Sequence, residues 1–156
     1  MQPSKSLLVD SAMILALILI GVIGYKLSPL LLPKADVVAQ PEPGCDLHHA
    51  PCTAALPEGG RLRFSISPRP IPVTQPFDME VVIEGPGADK VAVDFAGVDM
   101  SMGFNRTTLR AVDARRHVGQ TTLPVCVTGR MLWQATVLVE IGQMRIAVPF
   151  RFEAGH

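Results

Sequence analysis

The chain of 156 residues carries no excess of either charge, with fourteen Lys/Arg against fourteen Asp/Glu, and aromatic residues make up only 5% of it. Without a basic face it lacks what nucleic acid requires of a partner. There is no glycine-rich phosphate loop after a strand, no Gly-x-Ser-x-Gly nucleophile elbow and no His-Glu-x-x-His zinc pair. These absences argue against a nucleotide ligand and against the common hydrolase chemistries, and the chain is not expected to be an enzyme. Cysteine is scarce, three residues in all. No two are spaced as Cys-x-x-Cys, so thiol–disulfide catalysis has no motif to rest on.

What the chain does have is one long apolar run. From Leu7 to Ser28, LLVDSAMILALILIGVIGYKLS, the only charges are Asp10 and Lys26, both near the ends, and Pro29 is expected to stop the run. Those residues reach roughly 33 Å as a helix, enough to cross a bilayer. A cleavable signal peptide would need a small-x-small site soon after its apolar core, and the nearest tolerable one, Val37-Val38-Ala39, lies well beyond it. Glu42 and Pro43 spoil the apolar lead that a lipoprotein site at Gly44-Cys45 would need. Residues 1–6 therefore read as a short cytoplasmic tail and 7–28 as an uncleaved transmembrane anchor. Gly21 and Gly24 would permit close approach of another helix, although they miss the Gly-x-x-x-Gly spacing.

Residues 29–60 read as a linker. Prolines at 29, 33, 41 and 43 disfavour regular structure, and the same span includes a Cys/His-containing segment. From Arg61 to His156 the pattern has period two: Leu62, Phe64 and Ile66; Phe77, Met79, Val81 and Ile83; Val91, Val93 and Phe95; then Trp133 to Ile141 and Met144 to Phe152 around a turn at Gly142-Gln143. With weaker strands near 106–112 and 119–127, about seven are expected. That number and spacing predict an all-β, antiparallel, immunoglobulin-like sandwich preceded by one helix, with a small open barrel as the competing architecture. Pro149 should sit at an edge or bulge.

Three cysteines allow three single bridges. Cys45 and Cys52 are the local pair, leaving Cys126 as a buried thiol; alternatively Cys126 bonds to one of the other two. A bridge suits an oxidising compartment, which puts the domain outside the cytoplasm.

The stretch Val98-Asp99-Met100-Ser101-Met102-Gly103-Phe104 sets two thioethers two residues apart. On extended backbone such residues point the same way, and thioether sulfur is a soft, neutral ligand suited to Cu(I). Packing at an irregular end of the core is the plainer alternative. Met131 would join the pair if the loops around 100 and 130 share one pole, and His48 and His49 are weaker candidates. Arg106, Arg110, Arg115, Arg116 and Arg130, with Asp94 and Asp99, read as a solvated face.

In these features, Met100-Ser101-Met102-Gly103 and a turn leading to Trp133 behind a membrane anchor, the chain resembles bacterial FixH and YtkA-like proteins. The resemblance implies a single-pass inner-membrane protein with a periplasmic immunoglobulin-like domain. Its expected work is copper binding or delivery during assembly of a respiratory terminal oxidase, with Met100 and Met102 on Cu(I). The partner is then a membrane respiratory complex or a copper-accepting protein. The alternative expectation is a metal-free accessory subunit that docks on such a complex.

Overall fold

Alternation of apolar and polar residues builds most of this chain. The computed structural model describes residues 5–31, 35–100, 103, 105–124 and 129–155. Two compact units emerge, Met1–Lys34 and Ala35–His156.

The first unit is helix α1, Lys5–Leu31. It is apolar all round, and the stretch Val9–Lys26 is long and apolar enough to cross a membrane. The helix continues past Pro29 rather than stopping before it. A proline in a last turn forfeits one hydrogen bond, to the Tyr25 carbonyl, and a single such loss does not break a helix of this length.

The second unit is mostly β, with ten strands in two sheets where the alternation predicts about seven. They are β1 (Val37–Val38), β2 (Cys52–Ala55), β3 (Arg61–Ser67), β4 (Pro76–Glu84), β5 (Lys90–Gly97), β6 (Asn105–Thr108), β7 (Arg110–Ala111), β8 (Arg116–Thr122), β9 (Met131–Ile141) and β10 (Met144–Ala154). One sheet runs β1-β10-β9-β5-β6 and the other β2-β3-β4-β8-β7. Every pairing is antiparallel except β1 with β10. The extra strands have identifiable causes. β1 and β2 lie in the proline-rich segment, too short to show a period. The stretch expected as one strand near 106–112 divides at Leu109: β6 pairs with β5 in one sheet and β7 with β8 in the other.

The inward faces of the two sheets meet. Phe64 of β3 packs on Phe150 of β10 with ring centroids 5.4 Å apart, and Phe77 of β4 meets Phe95 of β5 edge-on at 5.8 Å. Trp133, Leu62, Ile66, Ile83 and Leu123 complete a continuous buried core, each worth about 1.5–3 kcal/mol of burial. The β9–β10 hairpin turns through Gly142-Gln143 as expected, with Ile141 opposite Met144 and Gly142 at φ +57°.

The linker expected over residues 29–60 differs most. From Asp36 onward it is built into both sheets. The Asp36 amide donates to Arg145 O (2.8 Å) and the Ala39 amide to Ala147 O (2.9 Å); the Glu42 amide then reaches Thr53 O on β2 (2.8 Å). Leu47 is fully buried beneath this segment, so apolar burial and ladder hydrogen bonds outweigh the extended bias of the prolines. Cys45 and Cys52 are bonded, with sulfurs 1.94 Å apart; Cys126 lies outside the described residues.

Pro149 falls within β10, between β1 and β9. Because Arg145 and Ala147 direct their backbone groups to β1, alternation aims the nitrogen of residue 149 the same way. β1 has ended by then, so the missing N–H falls at an open edge.

Candidate functional site

The segments singled out for their sulfur and imidazole groups come together at one pole of the β unit. The end of β5 runs beside the start of β9: Gly97 is paired with Trp133, and the Val98 amide donates to Leu132 O at 2.9 Å. On the other flank of β9 is the end of β10, where Ala154 pairs with Met131. Gly155 follows at φ +131°, so close to the neighbouring loop that a Cβ there would stand 2.5 Å from Gly129 O. The loops around 100 and 130 thus share a pole.

The thioethers differ in their surroundings. Met100 is 43% exposed. Met131 points the other way, into the core, and is 5% exposed, because it occupies an inward position of the β9 alternation. Met102 lies outside the described residues.

His48 and His49 sit on a tight turn at the same pole. Asp46 organises it: its Oδ1 accepts the His48 amide (2.9 Å) and its Oδ2 meets His49 Nδ1 (2.7 Å). The His48 amide foremost, and the His49 ring beside it, hold the Asp46 carboxyl below the usual carboxylate range. His48 Nε2 bonds Glu153 O on the open edge of β10, and its ring lies edge-on to Phe152 at 6.2 Å. That bond fixes Nε2–H as the donor and commits that nitrogen to the fold. His49 is the more available ring. Its side chain is 84% exposed, with a carboxylate behind Nδ1, the arrangement that orients many metal-binding imidazoles. A cavity of about 250 Å³ opens here, lined by Asp46, His49, Arg130 and Glu153 among others. Among the described residues no three His, Cys, Asp or Glu side chains converge as a metal site.

A second concavity, about 600 Å³, lies over the other sheet and is lined by Ser65, Ser67, Asp78, Glu80, Arg110, Arg116 and Gln120. Its charges largely satisfy one another: Arg116 pairs with Glu80, and Gln120 Nε2 donates to Asp78 at 3.1 Å. Arg106 likewise pairs with Asp94 at 2.9 Å, so these arginines serve the surface of the fold.

Sequence reasoning passed over His117. It is 1% exposed on β8, and among the described residues neither ring nitrogen has a hydrogen-bond partner. Burial depresses its basicity, opposed only in part by the Asp113 charge. The signal was parity: with Arg116 and Val118 outward, residue 117 must face the core.

No known protein family, characterised protein or solved structure matches the chain.

Proposed function

We propose that the chain is a membrane-tethered accessory protein that carries Cu(I) on thioethers at this pole. In this reading its β unit is an immunoglobulin-type sandwich in the bacterial periplasm, and its recipient is a copper-accepting protein or a respiratory oxidase under assembly. The observation that carries it is Met100, a residue 43% exposed three positions beyond the end of β5, with Met102 two residues on in the sequence. Copper is cargo here. Neutral thioethers bind Cu(I) without releasing protons, and a recipient offering thiolate or imidazole takes the ion by ligand exchange. Met131, buried, stays in the core, and His49 is the imidazole best oriented to assist.

The test is an anaerobic Cu(I) competition titration of the full chain in detergent against a chromophoric chelator. Stoichiometric binding is expected, and Met100→Leu with Met102→Leu should abolish it while changing stability by less than about 1.5 kcal/mol, since leucine keeps volume and hydrophobicity. Absence of binding in the unsubstituted chain sinks the copper reading.

The second reading, a metal-free accessory subunit of a larger membrane complex, draws on α1. Its stretch from Val9 to Lys26 is long and apolar enough to cross a membrane, and such a span can pack against a partner helix in the bilayer. It predicts co-purification with an integral complex in mild detergent, unchanged by the methionine substitutions.

A further inference from the structure

Helix α1 carries one acid, at a depth where an acid is costly. The inference drawn from it rests on the transmembrane reading given above. Tyr25, with 82% of its surface exposed, and Lys26 beside it form the aromatic-and-cation pair that settles at headgroup level. A hydrocarbon core of about 30 Å takes about twenty helical residues. Counting back that far brings the opposite interface to Lys5, a second cation. Asp10 then lies about five residues, roughly 7 Å, inside the hydrocarbon.

In the sequence no cation stands within one helical turn of it. The residues three and four positions away are Ser6, Leu7, Met13 and Ile14, none a cation. At about 100° per residue position 5 of an ideal helix lies roughly 140° around from position 10, and position 26 is about 24 Å along the axis. An ionisable side chain inside a span ordinarily faces a partner.

The same helical arithmetic supplies a second observation. Asp10, Leu17, Gly21 and Gly24 fall within a stripe about 60° wide. A Cβ added at Gly21 or Gly24 would meet nothing within 4 Å. The carboxyl group therefore shares a face with the two positions at which another backbone can approach most closely.

We infer that this stripe is the docking face for a transmembrane helix of a different membrane protein, one that brings an arginine or lysine to the depth of Asp10 and seats its backbone on Gly21 and Gly24. Charge selects that occupant over a second copy of the chain. Two single-span copies share one orientation in the membrane, so Asp10 would meet Asp10 across the contact, like charge against like.

The test reconstitutes the full chain in phosphatidylcholine vesicles with a synthetic leucine–alanine span bearing one arginine at the matching depth, or with its all-apolar counterpart. Association is read by energy transfer between labelled helices. The arginine probe should associate about three- to tenfold more strongly, Asp10→Asn should remove that preference, and Gly21→Leu with Gly24→Leu should weaken association of both probes. Equal association of the two probes, or a preference that survives Asp10→Asn, overturns the proposal. So does self-association of the chain that excludes the arginine probe, which would put a second copy on the face. Alkaline carbonate washing of the same vesicles separates the two levels of failure. A chain that washes off was never a span, and docking falls with that reading; a chain that stays but shows no preference refutes docking alone.

Discussion

The two lateral edges of the β unit are closed by different means. At one, β1 and the segment that follows it bind β10 and then β2, Leu47 is buried beneath, and the Cys45–Cys52 bond cross-links the turn. At the other, the chain passes directly from β6 in one sheet to β7 in the other, and the crossing residue Leu109 is buried. Both edges have backbone hydrogen bonds, but the first adds a covalent cross-link while the second adds only the packing of Leu109, and His117 lies beside the second, opposite Ala111 of β7. One edge is therefore exposed to reductant and the other to acid.

The largest effect is expected at the packed edge. Leu109 rests on Gly119 of β8, where a Cβ would stand 2.5 Å from Leu109 Cδ2. Leu109→Ala removes the side chain that fills this space and loosens β6 and β7 together. It should cost about 2–5 kcal/mol in chemical denaturation, and hydrogen exchange should quicken at β7 before it does at β1. A loss below 1 kcal/mol would mean the crossing does not depend on its packing.

Next in size is the covalent edge. Opening a ring as short as that closed by Cys45 and Cys52 releases about 2.5 kcal/mol of chain entropy to the unfolded state. Cys45→Ser with Cys52→Ser should show a loss of that order, with hydrogen exchange rising first at the amides of Ala39 and Glu42. If exchange rises equally at β7, the two edges are one cooperative unit and the contrast fails.

Acid should act at the opposite edge. The folded-state basicity of His117 is depressed, so below about pH 6.5 the unfolded chain takes up a proton that the folded chain refuses. Stability is then complete above that pH and falls beneath it by at most about 1.4 kcal/mol per unit. It levels off below the lowered folded-state value. Asp46 and Asp113 are also shifted downward, Asp113 by the amides of Arg115 and Arg116, so their contribution is present above the ordinary carboxylate range and lost only in stronger acid. His117→Leu should erase the upper slope and leave stability at pH 8 equal or higher, because the unpartnered ring nitrogens are gone. Since His48 and His49 stay in both proteins, the difference between the two pH curves isolates His117.

The smallest effect belongs to the surface. The pairing of Arg106 on β6 with Asp94 is partly exposed, and Arg106→Ala is expected to cost about 0.2–1 kcal/mol, less at high salt.

How much of this was legible in sequence follows from periodicity. β3, β4, β5, β9 and β10 alternate over seven or more residues, long enough for a burial pattern to declare itself, and the Gly142-Gln143 turn joins two of them. β1 could not be read, because two residues have no period and its pairing partner lies more than a hundred residues away. The break at Leu109 is invisible for another reason: both halves are extended, and only the third dimension assigns them to different sheets. At the candidate site the reading of one shared pole was available, while the inward turn of Met131 depended on strand register. His117 shows the converse, a residue whose parity was readable and whose type argued against burial.

Pro149 and His48 together bear on something beyond the fold of a single copy. A strand edge of free amides and carbonyls invites another chain to pair with it. Along β10, where β1 leaves off, proline offers no amide at 149 and the His48 ring occupies the carbonyl of Glu153. For the tethered protein proposed above, copies move in two dimensions and meet often, so this edge is where β-aggregation would begin. Restoring an amide with Pro149→Thr and uncovering the carbonyl with His48→Ala would test that liability as the onset of fibrillar growth at high surface density.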